Sequence, residues 1–177
     1  TNSSYGSVSP TSLSVPYDST YSVSGNVLTF SDGQKVTATA TAKTGYTTTF
    51  SSWSPSSGTI TGATTITANF SRRGNNYSVI YNCNGGTPAD TYTSAHVYGT
   101  ASKLKTNQCA KTGSTFNGWK DANGRTYTNE QSISTLVSTD NGSITLTAQW
   151  STNTYKIAFL ILFFLIYLIH SLKAITS

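Results

Sequence analysis

The stretch KTGYTTTFSSW, residues 43–53, recurs as KTGSTFNGW at residues 111–119. Each stretch is followed by a segment of alternating polar and apolar residues that ends in an aromatic side chain, TTITANF at 64–70 and SITLTAQW at 143–150. An ordered series that returns along a chain is typical of a repeated structural unit. The sequence therefore predicts two copies of one module within residues 1–151.

A tyrosine with small neighbours also precedes each Lys-Thr-Gly, in VPYDST at 15–20 and in HVYGTA at 96–101. With this step included, the repeat predicts a first module over residues 1–73 and a second over residues 77–151. Residues 152–177 follow and are expected to form a hydrophobic C-terminal helix.

Both copies have the composition and the periodicity of β-structure. One residue in three is Ser or Thr, and only 10% are charged, which suits pleated and partly exposed surfaces. Tyr77, Val79, Tyr81 and Cys83 alternate with polar residues, a period of two that predicts a strand with one buried face. The chain is therefore predicted to be mainly β.

Two local signals predict interruptions of this pattern. The segment from Thr128 to Gln131 has the form of a helix capping box, and Ile133, Leu136 and Val137 follow at helical spacing. We expect a helix of two turns to cross the second sheet there. Residues 71–76, with the sequence SRRGNN, are expected to form the linker between the modules.

The second copy resembles a known family through YSVIYNCNGGT, KTGSTFNGWKDANGRTY and GSITLTAQW. These motifs are similar to the Listeria–Bacteroides repeat, also called the internalin B repeat, over residues 77–151. Residues 1–71 resemble the divergent version of that repeat through GSVS, VPYDST and TITANF. The resemblance implies small β-grasp-like modules in tandem on microbial surface proteins, with no catalytic residues.

Cys83 and Cys109 are the only cysteines, and they depart from the pattern of the family. In an exported protein, a single disulfide is the favoured interpretation over a metal site, and two separately buried thiols are the alternative. The chain starts at Thr1 without an apolar leader, from which we expect an extracellular or cell-surface protein whose signal has been removed.

The C-terminal segment contains thirteen consecutive apolar residues, 157–169. A run of this length without alternation predicts a helix that is apolar on every side and needs a partner other than water. Copies of the same helix in a filament core are the favoured partner, and a membrane is the alternative. From residue 157 to 172 the helix measures about 24 Å, short of a bilayer core of about 30 Å. The side chains expected to form this assembly or membrane helix are Ile157, Phe159, Leu160, Ile161, Leu162, Phe163, Phe164, Leu165, Ile166, Leu168 and Ile169.

Charge and titratable residues argue against catalysis and nucleic-acid binding. The net charge is +5, but the basic residues are scattered and only Arg72 and Arg73 are adjacent. The acidic side chains and the two His are spread over the chain, so we expect no enzyme, cofactor or metal site. His96 is interpreted as a surface loop residue.

A glycan-binding module is the remaining alternative, because Trp side chains can stack on sugar rings. Trp53 and Trp119 hold equivalent places in the two copies, and Trp150 alternates with core positions, so packing roles are favoured. Asn76 and Asn141 begin Asn-x-Ser/Thr triplets and are the predicted accessible glycosylation sites. The receptor of the modules is left open.

Overall fold

The computed structural model describes residues 4–158, which fold into β-strands and loops. No helix occurs within that range. The strands are β1 (Gly6–Ser9), β2 (Ser19–Ser24), β3 (Val27–Phe30), β4 (Lys35–Ala40), β5 (Tyr46–Ser54), β6 (Gly58–Ile60), β7 (Thr67–Gly74), β8 (Asn76–Asn82), β9 (Tyr92–Val97), β10 (Ser102–Lys103), β11 (Ser114–Lys120), β12 (Thr126–Tyr127), β13 (Ser132–Ile133) and β14 (Gly142–Thr152).

The first seven strands pair only with one another. They form a five-stranded sheet in the order β1-β4-β3-β2-β6 and a separate two-stranded sheet, β5-β7. All of these pairings are antiparallel. The apolar faces of the two sheets enclose a small core of Tyr21, Leu28, Phe30, Ala38, Trp53 and Ala68.

The remaining strands form a second unit around a five-stranded sheet in the order β12-β11-β14-β8-β9, with a small β10-β13 pair beside it. β8 runs parallel to β14 and antiparallel to β9. Tyr77, Val79, Tyr81 and Cys83 are all buried, as their alternation predicts. They pack with Trp119, Leu146 and Ala148 in the core of this unit.

The repeated sequence motif corresponds to one bulged hairpin in each module. In the first, Phe50 of β5 faces Phe70 of β7, a bulge follows, and Trp53 then faces Ala68. The second module has the same bulge and the corresponding pairs Phe116–Trp150 and Trp119–Ala148. An extra residue bends the strand and re-aims the side chain after it. The bulge therefore places both Trp side chains in their cores.

The predicted linker at residues 71–76 is wrong, because most of it continues the sheets. Ser71 to Gly74 belong to β7 and pair with β5, and Asn76 already begins β8. Arg72 donates from Nε to Thr48 Oγ1 at 2.8 Å. Cross-strand pairing along the long hairpin thus overrides the turn preference of these residues, and only Asn75 lies between the modules.

The predicted helix after Thr128 is also wrong. The side-chain oxygen of Gln131 accepts from the Thr128 backbone N–H at 2.9 Å, so half of the capping box forms. Glu130 then adopts a φ of 55°, which no α-helix accommodates. Ser132 and Ile133 pair with β10, and Ile133 is buried in the core. Tertiary pairing therefore outweighs the local helical signal.

The C-terminal helix predicted over residues 152–177 is wrong in its first part, because Thr152 ends β14 and residues 153–158 are not helical. Its remaining positions, 159–177, lie outside the described residues. Ile157 is 76% exposed and belongs to no strand. Between residues 4 and 158, nothing helical has the length and apolar character that crossing a bilayer requires.

Candidate functional site

Asn75, the single residue between the two modules, forms hydrogen bonds with both. Its backbone N–H donates to the carbonyl oxygen of Gly45 at 2.9 Å, and its Oδ1 accepts from Thr47 Oγ1 at 2.6 Å. Its Nδ2 donates to the Ser138 carbonyl at 2.7 Å, while its own carbonyl accepts from the Tyr98 N–H at 2.8 Å. Because Asn75 is 8% exposed, these bonds are shielded from competition with water.

Aromatic packing surrounds this residue. Tyr98 of the second module meets Tyr46 of the first edge to face, with ring centroids 5.6 Å apart. Gly45 has a φ of 79°, and a Cβ there would overlap the Tyr98 ring. A Cβ on Gly99 would overlap the Tyr46 hydroxyl. We call the set Gly45, Tyr46, Asn75, Tyr98 and Gly99 the joint.

One ion pair flanks the joint. Arg73 donates to both carboxylate oxygens of Asp140, at 3.0 and 2.7 Å. Asp140 also accepts from the backbone N–H of Asn76 at 3.0 Å. The Arg73 hydrogen bond, followed by that from Asn76, holds the pKa of Asp140 below its usual value. Since Arg73 is 52% exposed, the pair orients the modules more than it stabilises them.

The two cysteines form a disulfide in the second module. Cys83 follows β8 and joins Cys109, with a Cα–Cα distance of 5.4 Å. Beside it, Trp150 Nε1 donates to the Cys83 carbonyl at 2.9 Å, and Thr87 forms an antiparallel bridge with Ala110. The bond therefore ties the end of β8 to the segment that leads into the second Lys-Thr-Gly.

His96 is a buried strand residue, so its interpretation as a surface loop residue is wrong. It lies in β9 with 6% exposure and stacks on Tyr77. Its Nε2 is 2.7 Å from Ser94 Oγ and its Nδ1 2.7 Å from Ser102 Oγ. Burial lowers its pKa. The alternation of Tyr92, Ser94 and His96 is the sequence signal that marks this inward face.

The tryptophans are packing residues. Trp53 is 5% exposed and Trp119 fully buried, while Trp150 is partly buried against Phe116. Above Trp53 the first module has a groove of about 540 Å³, which Leu28 and Phe30 line together with hydroxyl side chains. Within residues 4–158, no group of His, Cys, Asp and Glu could hold a metal ion.

The two predicted glycosylation sites are neighbours beside the joint. Asn76 and Asn141 are both exposed, and the Asn141 N–H donates to the Asn76 carbonyl at 2.8 Å. Their glycosylation stays a prediction. A glycan on either residue would project from the boundary between the modules.

Comparison with protein families matches residues 1–82 to the divergent InlB B-repeat domain. The match covers the whole first module and extends through Asn75 into β8. Neither a curated protein nor a solved structure matches the chain. Repeats of this family and a disulfide indicate an extracellular or cell-surface protein.

Proposed function

Since residues 1–82 match the divergent InlB B-repeat domain, we propose that the chain is a non-enzymatic structural subunit of a microbial cell-surface filament. Its apolar segment, residues 157–169, associates with the same segment of other copies in the filament core, and the β-modules are displayed outside. The observation that carries this proposal is the joint, in which Asn75 uses all of its hydrogen-bonding groups across the two modules.

A joint of this kind suits a mechanical role. A flexible linker would let the modules reorient freely, whereas Asn75 is buried and Tyr98 is packed on Gly45. The pair of modules therefore projects as one stiff unit of defined length. Such a unit transmits force or holds a distance and needs no catalytic groups.

The apolar segment supplies the assembly step. Burying eleven Leu, Ile and Phe side chains would contribute roughly 15 to 30 kcal/mol before entropic costs. The small cores of the modules are already filled by their own side chains. Equivalent segments of neighbouring copies can offer an apolar surface of matching size.

Truncation after Lys156 tests this proposal. We expect residues 1–156 to be a soluble monomer in which both modules are folded, and the full chain to form fibres in electron micrographs. The control is the full chain with Thr126→Ser, an exposed position in β12 that should leave fibres intact. Fibres formed by the truncated chain would contradict the proposal.

A membrane anchor is the second candidate, favoured by the lysines at 156 and 173 that flank the apolar segment. Lysine side chains can reach the headgroups from a short span. Flotation with lipid vesicles separates the two roles. An anchored chain floats with vesicles and gives no fibres without lipid.

Glycan binding is a third candidate, favoured by the groove above Trp53. Its hydroxyl-bearing and aromatic lining suits a sugar ring. Titration with glycans, read by tryptophan fluorescence, should give a saturable change that Trp53→Phe abolishes and Trp119→Phe retains. A flat titration would exclude this role for the glycans used.

A further inference from the structure

The far end of the second module repeats the first-module side of the joint. The Asn153 N–H donates to the Gly113 carbonyl at 2.8 Å, and Thr115 Oγ1 donates to Asn153 Oδ1 at 2.6 Å. These two bonds reproduce, atom for atom, those that Asn75 makes to the first Lys-Thr-Gly hairpin.

Among the described residues, none occupies the position at this far site that the Tyr98 ring fills in the joint. Gly113 has a φ of 69°, and a Cβ placed on it would meet no atom of residues 4–158 within 4 Å. At the equivalent Gly45, the ring of Tyr98 fills that space. Residues 154–158 are exposed and belong to no strand. We call Gly113, Ser114 and Asn153 the open site.

The near end of the first module carries the turn that would fit the open site. Tyr17 and Asp18 correspond in sequence to Tyr98 and Gly99. Asp18 has a φ of 68° and Gly99 one of 81°. The Tyr17 side chain is 79% exposed, whereas Tyr98 is packed in the joint.

Hydrogen bonds confirm that the two turns are equivalent. The Ser19 N–H donates to the Pro16 carbonyl at 3.2 Å, as Thr100 does to Val97 at 3.1 Å. In both modules, the backbone N–H of the residue with positive φ donates to a carbonyl oxygen that lies much later in the sequence of the same module. These bonds are Asp18 to Ile60 at 2.9 Å and Gly99 to Ser134 at 2.7 Å.

Two sequence differences between the modules, one at the open site and one on the Tyr17–Asp18 turn, compensate each other in size. In the joint, Gly99 has no side chain because the Tyr46 hydroxyl occupies that position. At the open site Ser114 replaces Tyr46, and on the free turn Asp18 replaces Gly99. In the joint, the small Gly99 therefore faces the large Tyr46. If the free turn of one copy met the open site of another, the small Ser114 would face the larger Asp18, and the Ser114 hydroxyl could donate to the Asp18 carboxylate.

From this correspondence we propose that the open site binds the Tyr17–Asp18 turn of a second copy of the chain. The Tyr17 ring packs on Gly113, and its backbone N–H donates to the Asn153 carbonyl, as Tyr98 does to Asn75. Because the two surfaces are different patches of the chain, the contact is heterologous, and we expect it to continue from copy to copy as an open row.

The fraction of open sites that hold a Tyr17–Asp18 turn depends on the proposed filament. One aromatic anchor on a small surface gives a weak intrinsic affinity. Copies held together by their apolar segments experience a high effective concentration, which populates a weak contact. The row of modules would then order the outside of the filament.

Cross-linking between two full-length variants tests the contact. Chains with Asp18→Cys are mixed with chains carrying Ser114→Cys and treated with a short bismaleimide, under conditions that keep the Cys83–Cys109 disulfide intact. We expect a covalent heterodimer, and we expect Tyr17→Ala in the first chain to reduce it about tenfold, the effect of losing roughly 1.4 kcal/mol. Folding of each variant is checked by tryptophan fluorescence.

The matched control replaces Ser114→Cys with Thr126→Cys, an exposed position in β12. Equal yields from the two mixtures, or a yield that Tyr17→Ala leaves unchanged, would overturn the inference. The mixtures are also examined by electron microscopy, with and without Phe163→Glu and Leu165→Glu in both chains. Fibres that form without a cross-link between positions 18 and 114 would overturn this contact alone. A cross-link between these positions that forms without fibres would overturn the filament proposal alone.

Discussion

Tyr98 of the second module stands edge-on to Tyr46 of the first, with ring centroids 5.6 Å apart and ring planes at 82°. The ring of Tyr98 also covers Gly45, so the Lys-Thr-Gly motif has a role at the module boundary as well as in its own hairpin. This contact and the hydrogen bonds of Asn75 make the boundary a packed interface.

Gly45→Ala should destabilise the protein more than Gly113→Ala. Both glycines have positive φ, so each substitution costs about 1 kcal/mol in backbone strain. Only at Gly45 does the added methyl group also displace the Tyr98 ring. We expect an additional loss of about 1 to 3 kcal/mol in the free energy of unfolding, measured by urea denaturation. Equal losses for the two variants would refute the packing role of Gly45.

Tyr98→Ala should uncouple the two modules while both remain folded. The edge-to-face pair contributes about 0.5 to 1.5 kcal/mol beyond the burial of its apolar area. NMR relaxation should report one tumbling time for the natural chain and separate, shorter times for the variant. Val97→Ala, next to it and 37% exposed, is the control and should tumble as the natural chain does. A variant that still tumbles as one body would refute the role of the Tyr98 ring and assign the coupling to the Asn75 hydrogen bonds and the Arg73–Asp140 pair.

Replacing Cys83 and Cys109 by Ala should selectively destabilise the second module. The disulfide spans a sequence separation of 26 residues, for which chain entropy predicts a loss of about 3 to 4 kcal/mol. Chemical denaturation followed separately at Trp119 and Trp53, each in a chain where the other two Trp residues, Trp150 included, are replaced by Phe, resolves the modules. The transition at Trp53 should stay in place. An equal shift of both transitions would mean that the modules unfold as one cooperative unit.

Acidification should weaken the second module through His96. Burial lowers the pKa of His96 from the usual 6.5, so the unfolded chain binds a proton at a higher pH than the folded chain does. The free energy of unfolding should therefore be constant above that value and decrease as the pH falls through it, until the folded-state pKa is reached. His96→Gln keeps a polar side chain and should remove this slope. Denaturation series between pH 8 and pH 5 measure it, and an unchanged slope in the variant would assign the effect to another group.

Much of the fold follows from local pattern. The period of two in the Tyr77–Cys83 segment correctly predicts a buried strand face, and the two Lys-Thr-Gly motifs lead into antiparallel strand pairs that share the same bulge. These features are readable because alternation and turn chemistry act over a few neighbouring residues. The family resemblance of the first module is confirmed by the match over residues 1–82.

Only part of the joint could be predicted from the sequence. Gly45 and Tyr98 each belong to a repeated motif, but nothing in their sequence separation indicates that they touch. The failed predictions share this cause. Arg72 pairs with β5 on the neighbouring strand, and Ile133 is drawn into the core by β10. His96 lies between Tyr77 of β8 and Ser102 of β10.

The sequence by itself determined that the chain is β-rich, that it carries one ordered series of motifs twice and that an apolar segment follows, because periodicity, repetition and hydrophobicity are local properties. Only the tertiary structure decided that Asn75 joins the modules without a linker, that Tyr98 fills the space above Gly45, and that no residue from 4 to 158 fills the space above Gly113. Those outcomes depend on which distant backbone and side-chain atoms meet. That choice is made by packing and by hydrogen bonding across the whole fold.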